Sequence, residues 1–165
     1  MNHYTSIQSP IGKLFLARTD QGLCSIGLPG LETAFFQQLK KYFPKESFIE
    51  SPEGLADTIS QLGEYFQSKR KAFSVPLDLG TTPFFAQVLK QVQKIPYGAT
   101  KSYGEIAHEL NHPNSARAVG MANARNPIPI IIPCHRVIAG NGALQGYAGG
   151  LEMKSFLLRH EGLTL

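Results

Sequence analysis

SYGEIAHELNHPNSARAVGMANAR, residues 102–125, holds two short helical patterns with a turn between them. Ser102, followed three residues later by Glu105, matches a capping box, in which hydroxyl and carboxylate satisfy the free N–H groups of a helix start. That helix is expected to run to about Leu110. Asn111-His112-Pro113-Asn114 supplies a turn, and Ser115 is placed to cap a second helix reaching about Arg125. Two short helices joined by four residues form a helix-turn-helix pattern, a unit that lies against DNA but also occurs as a plain helical hairpin. Reading base edges in the major groove takes several Arg, Lys, Asn or Gln side chains, and this second helix offers Arg117 and Asn123. Its small residues instead allow close backbone approach, to a narrow minor groove on one face or to a neighbouring helix on the other.

The charge around this stretch is lopsided. Residues 1–78 carry eight Lys/Arg and eight Asp/Glu, whereas residues 79–165 carry eight Lys/Arg and four acids, so the whole net charge of +4 sits in the second half. No carboxylate occurs between Glu109 and Glu152, yet Arg117, Arg125 and Arg136 fall in that gap. An acid-free arginine-bearing stretch suits a polyanion, because each misplaced carboxylate would repel phosphate.

Directly downstream comes NPIPIIIPCHRV, residues 126–137. Three prolines fix φ and remove backbone donors, which predicts a stiff, extended, apolar segment ending at Cys134. His135 and Arg136 follow it, and cationic neighbours lower a thiol from its ordinary pKa of about 8.5, so a reactive thiolate is expected at Cys134. A rigid cysteine of that kind is what covalent chemistry uses.

Upstream, Pro83 opens a helix whose Phe85, Val88, Leu89 and Val92 form an apolar stripe up to Ile95, and Pro96-Tyr97-Gly98 ends it. The first half is mixed. Residues 4–8, 13–19 and 23–28 read as strands of an antiparallel meander, punctuated at Ser9-Pro10-Ile11-Gly12 and Asp20-Gln21-Gly22. Residues 31–43 and 54–68 read as helices, the second with Leu55, Ile59, Leu62 and Phe66 on one face. Lys69-Arg70-Lys71 would be its solvated end, and residues 73–79 a last strand before a linker. Cys24 reads as a small buried hydrophobe. These patterns predict two domains, 1–78 and 79–165.

Composition sets outer bounds. With 42% apolar and 17% charged residues, the chain can bury a core and lacks the signature of disorder. No apolar run nears the ~20 residues of a membrane span. Its start lacks the basic and apolar stretches of a signal peptide, so a cytoplasmic protein with reduced thiols is expected.

Pro133-Cys134-His135-Arg136-Val137, preceded by Ala116-Arg117-Ala118-Val119-Gly120 and Asn126-Pro127, resembles the O6-alkylguanine-DNA alkyltransferase family. Tyr147-Ala148-Gly149-Gly150, Leu157-Leu158-Arg159-His160-Glu161-Gly162 and the Ser9–Gly12 turn extend the likeness over essentially the whole chain. The resemblance implies an α/β ribonuclease-H-like domain followed by a mostly α winged helix-turn-helix. It implies stoichiometric, self-inactivating transfer of an alkyl group from O6-alkylguanine, with O4-alkylthymine as a second lesion, to Cys134. His135 would act as base through a bound water, Glu161 would orient it, and Tyr103 would donate to the leaving guanine and crowd a phosphate. Arg117 would fill the stack left by the flipped nucleotide. Ser115, Ala118, Asn123, Arg125 and Arg136 would join Arg117 and Tyr103 on the DNA. Pro129 and Tyr147 would line the pocket, Val137 and Ala148 would meet the base edge through backbone groups, and Asn126 would tie the recognition helix to the active-site loop.

The implied partner is double-stranded DNA containing O6-alkylguanine, approached from the minor-groove side with little sequence preference, by a monomer that needs no cofactor and no membrane. Some members hold a structural zinc in the first half. Here His3 and Cys24 are the only His or Cys before residue 80, so no tightly bound metal is expected. Around Gly140-Asn141-Gly142, residues 137–139 and 143–145 would pair as a hairpin wing. Ala148 stands where some members carry Ser, and Ala124-Arg125 replaces a smaller Gly-containing pair, so Arg125 would add a phosphate contact of its own. Two other readings use the same residues: a cysteine hydrolase, which would turn over, and a non-catalytic DNA-binding protein, which would have no use for Cys134.

Overall fold

A computed structural model describes residues 1–165, which divide into two compact units, Met1–Gly80 and Thr81–Leu165. In the first, β1 (Asn2–Ser9), β2 (Gly12–Thr19) and β3 (Gly22–Gly27) form the expected antiparallel meander. Ser9 Oγ donates to Gly12 O across the first turn. α1 (Glu32–Tyr42) follows, then β4 (Phe48–Glu50), and the sheet order is β3-β2-β1-β4 with β4 parallel to β1. Side chains alternate across β2, so Phe15 and Ala17 share one face with Cys24 and meet Phe35 and Leu39 of α1, as strand period dictates. Leu14 and Leu16 point the other way and are fully buried, on the side where the turn Glu53–Leu55 and α2 (Ala56–Phe66) lie against β1 and β2. A strand covered on both faces has no solvent side, and every residue of β3 is buried.

Three expectations for this unit are corrected. The fourth strand is residues 48–50, not 73–79. Pro76 has no N–H to donate, and the later segment touches β3 at a single rung, where Leu23 N donates to Pro76 O and Asp78 N donates to Leu23 O. Gly22 permits that approach: its φ is +151°, and a Cβ there would lie 2.5 Å from Pro76 O. The buried face of α2 carries Leu55, Thr58, Gln61, Leu62 and Tyr65 rather than Ile59 and Phe66. Gln61 is buried because its carboxamide is satisfied twice, donating to Ser74 Oγ and accepting from Ser74 N. The helix also stops short of the basic run. Ser68 takes φ +60°, and Ser68 N and Lys69 N donate back to Tyr65 O and Glu64 O, a left-handed C-terminal cap.

The second unit begins with α3 (Pro83–Gln93), whose Thr82 hydroxyl accepts from Phe85 N and whose Pro83 sits in the first turn. β5 (Lys101–Ser102) leads into α4 (Tyr103–Glu109), and α5 (Ala116–Ala124) follows the turn. Ser102 Oγ accepts from Glu105 N at 3.0 Å, which is the hydroxyl half of the expected capping box. Ser115 stands at the N-cap of α5, but its side chain makes no capping bond. α3, α4 and α5 pack on one another around Val88, Leu89, Val92, Ile106, Ala107, Val119 and Ala122. β6 (Val137–Ile138) pairs in parallel with β5, and α6 (Leu151–His160) closes the unit.

The wing expected at residues 137–145 is reduced to a turn. Ala139 N donates to Ala143 O and Gly142 N to Ala139 O, while the outward edge of β6 is taken by no second strand. No helix is long and apolar enough to cross a membrane.

Candidate active site

The proline-framed segment is not extended. Pro129 and Ile132 form a bridge, Ile132 N donates to Ile128 O, and Ile130 takes φ +74°. A β-branched residue in the left-handed region is strained and persists only where surroundings impose it. Asn126 does so with both ends of its carboxamide: Nδ2 donates to Ile132 O at 2.8 Å and Oδ1 accepts from Ile128 N at 2.9 Å. Residues 128–132 are buried isoleucines and proline, so the turn is packed as well as bonded. It delivers the chain to a 3-10 turn, Cys134–Arg136, all three residues buried.

Within that turn, His135 is fully buried. Its Nε2 lies 2.7 Å from Glu161 Oε2, so a carboxylate acceptor keeps the proton on Nε2. Nδ1, carrying the lone pair, has no protein partner. Burial lowers the imidazole pKa and outweighs the hydrogen bond to Glu161, so the ring is neutral at pH 7 with Nδ1 as its basic atom. Glu161 terminates α6 and also accepts from Arg136 Nε at 2.8 Å, Arg136 Nη2 at 3.0 Å and Gly98 N at 3.3 Å. Burial alone would raise its carboxyl pKa, but the bonds from His135 and Arg136 prevail and hold it well below the usual carboxylate range.

Cys134 does not rest as a thiolate. Burial pushes its pKa up to about 11 despite the Asn126 hydrogen bond and the Lys154 charge, which act to lower it. Arg136 fails to activate it because the guanidinium is committed elsewhere, to both oxygens of Glu161 and to Ile95 O at 2.6 Å. The same commitment removes Arg136 from the DNA-facing set. It is 5% exposed, since the fork geometry of a guanidinium matches a buried carboxylate better than a solvated phosphate outside. Asn123 is corrected likewise. It faces inward from α5, and its Nδ2 donates to Cys134 O at 3.2 Å.

Arg117 and Arg125 are exposed at either end of α5, with Ser115 and Ala118 half-buried near its start. The Tyr103 ring lies against Gly120 of α5, where a Cβ would come within 3.7 Å, and its hydroxyl donates to Gln145 O at 3.1 Å. Tyr147 has a buried hydroxyl, Pro129 and Val137 are buried, and Ala148 is exposed. One residue escaped the sequence reading. Lys154 is fully buried and donates from Nζ to Val137 O and Gln145 O, each at 2.6 Å. The available signal was a lysine sharing one helical face with Leu157, Leu158 and Glu161.

Fold and site define a class: an α/β unit followed by a helix-turn-helix unit that holds a buried cysteine beside a carboxylate-oriented imidazole. Residues 2–79 match the family model for the ribonuclease-like domain of 6-O-methylguanine DNA methyltransferase, and residues 83–163 match that for its DNA-binding domain. The methylated-DNA–protein-cysteine methyltransferase of Methanosarcina acetivorans is 43% identical over 160 residues, 97% of this chain and 98% of that protein. The constitutive Bacillus subtilis enzyme of the same name is 41% identical over 165 residues, covering 99% and 98%. The solved structure of Mycobacterium tuberculosis OGT in complex with DNA is 41% identical with a TM-score of 0.84, covering 96% of this chain and 92% of that one. The chain belongs to the 6-O-methylguanine DNA methyltransferase family.

Proposed function

We propose that this protein repairs O6-alkylguanine in double-stranded DNA by moving the alkyl group onto Cys134 Sγ, once per molecule. The observation that carries the reading is the buried Cys134 beside His135, whose Nδ1 lone pair is freed by the Nε2–Glu161 bond. With the thiol held at about 11, roughly 10⁻⁴ of it is ionised at pH 7. Attack therefore needs a base at the moment of reaction, and neutral His135 takes the thiol proton through a water molecule. The carbon–sulfur bond forms as the carbon–O6 bond breaks, and the departing guanine takes the proton of the Tyr103 hydroxyl, which exchanges its Gln145 carbonyl partner for the base. The proton gained by His135 returns through water to the phenolate, so the thiol proton ends, in sum, on guanine. A thioether is a poor leaving group, and Cys24, the other cysteine, lies in the other unit with its pKa raised to about 12 by burial. Nothing regenerates the acceptor.

DNA is met on the minor-groove side by α5, whose small residues admit the backbone, with Arg125 and the half-buried Ser115 and Ala118 beside phosphate and Arg117 in the vacated stack. Pro129, Val137, Tyr147 and Ala148 bound the pocket, and the protein acts as a monomer in the cytoplasm without a cofactor. O4-alkylthymine is a second lesion by the same chemistry. Arg117→Ala separates extrusion from transfer. Because unstacking a base costs a few kcal/mol, the variant is expected to act about 10²-fold more slowly on methylated duplex but within about threefold of normal on free O6-benzylguanine. Equal losses on both substrates would refute the plug, and no reaction of the wild-type protein with either would refute the function.

A further inference from the structure

We infer that Met121 is a specificity-determining residue of the DNA surface: it lays an apolar side chain on the floor of the minor groove beside the lesion and so favours neighbouring base pairs that carry no guanine amino group. The inference rests on the alkyltransferase reading above and sharpens its expectation of little sequence preference.

Along α5, Val119, Ala122 and Asn123 are buried against the rest of the unit. Arg117, Met121 and Ala124 recur at the spacing of one helical face, opposite those three, and Arg125 borders it. All four are exposed. At 52% exposure, Met121 is the one large apolar side chain of the helix-turn-helix, residues 102–125, that stands out in solvent. A lone exposed apolar residue is ordinary on a protein surface, but this one has neighbours suited to nucleic acid. Arginines flank it at 117 and 125, Ala124 is the other residue on the face, and no carboxylate occurs between Glu109 and Glu152. That charge pattern commits the face to a polyanion.

Arg117 takes the vacated stack, and Met121 follows it by four residues, about 6 Å along the helix. With base pairs about 3.4 Å apart, its thioether meets the groove within about two pairs of the extruded base. Methionine is unbranched and adapts to an irregular surface, and apolar side chains of this kind enter the groove in other minor-groove proteins. Every pair presents acceptors there, and a G·C pair adds the guanine N2 amino donor. A thioether sulfur is a weak acceptor. Covering the amino group with it displaces water and leaves a donor unsatisfied, a cost that A·T pairs escape.

Methylated duplexes whose flanking pairs are either G·C or inosine·C differ in the minor groove by that amino group alone. At subsaturating duplex, the wild-type protein should take up methyl faster from the inosine duplex. Easier extrusion beside the weaker pair adds to this gap in every variant, so the gap in wild type is divided by the gap in Met121→Ala. The quotient is expected to be about tenfold. Met121→Gln restores an acceptor at similar length and should bring the gap down to that of the alanine variant or lower. A quotient near one, or a glutamine variant that keeps the wild-type gap, would overturn the inference. Both substitutions place good helix formers at an exposed position, so the fold is retained. If the wild-type protein takes up no methyl from either duplex, the repair reading fails, and binding still judges the contact. Affinities for lesion-free duplexes rich in G·C or in inosine·C, measured at one salt concentration, should then show the wild-type preference and its loss in Met121→Ala. Equal preferences in the two proteins would overturn the contact.

Discussion

Replacing Cys134 with alanine is expected to abolish alkyl uptake from methylated DNA while leaving DNA binding at wild-type strength. Cys134 is buried, at 5% exposure, so loss of its sulfur takes little from the surface that meets phosphate. Truncation removes a small buried group at a cost of about 1 kcal/mol, which the unit tolerates. Cys24 offers no substitute. It lies among Phe15, Ala17, Phe35 and Leu39, its sulfur bonds to Ala17 O, and burial pushes its thiol up to about 12. Transfer of a labelled methyl group, read by gel and by filter binding, makes the check. Label retained by the Cys134→Ala protein would put the acceptor elsewhere, and a parallel loss of DNA affinity would mean that the site and the DNA surface are not separable.

Glu161→Ala is expected to damage stability and chemistry together. The carboxylate holds His135 and both arms of Arg136, so its removal leaves a guanidinium buried with Ile95 O as its remaining hydrogen-bond acceptor. Breaking a buried pair from one side costs about 3–5 kcal/mol. The imidazole also loses the acceptor that fixes its tautomer, and a positioned general base is worth about 10²–10⁴ in rate. Urea unfolding and single-turnover transfer measure the two effects, and a stability loss below about 1 kcal/mol would contradict the buried-pair account.

The pH dependence follows with the same sign from two groups. The native imidazole of His135 resists a proton that the unfolded chain accepts below about 6.5, so stability starts to fall as pH drops through that value. The native Glu161 carboxyl is depressed as well. Its contribution is complete above about 4.3, the unfolded value, and is lost as pH falls toward the native one. In Glu161→Ala the lower part of this acid limb should vanish.

The helix-turn-helix was legible because its signals are local. Ser102 and Glu105 sit three residues apart, the turn signal Asn111-His112-Pro113-Asn114 is contiguous, and the helical stripes repeat within one or two turns. The meander was legible for the same reason. What sequence misassigned depends on partners far along the chain. Arg136 reads as a phosphate ligand until Glu161, twenty-five residues later, is seen to take its fork. Asn123 reads as a groove contact until its bond to the Cys134 carbonyl appears. Strand β4 is three residues long and pairs with β1 across more than forty residues, whereas residues 73–79 look more strand-like and make one rung. Lys154 could be suspected from the apolar face it shares on α6, but its backbone-carbonyl partners are encoded by no side-chain pattern. The reactivity expected of Cys134 went wrong for a related reason: two basic neighbours in sequence suggested an ionised sulfur, but burial and the prior claim of Glu161 on both of them leave a neutral thiol.

The central claim is a single irreversible transfer to one sulfur, and intact-mass measurement after incubation with a tenfold excess of methylated duplex tests it most directly. The account predicts one added methyl per chain, mapped to the peptide containing Cys134, and no further lesion removed once every molecule carries it. Removal of several lesions per protein molecule, or an unmodified Cys134 at the end of the reaction, would contradict it.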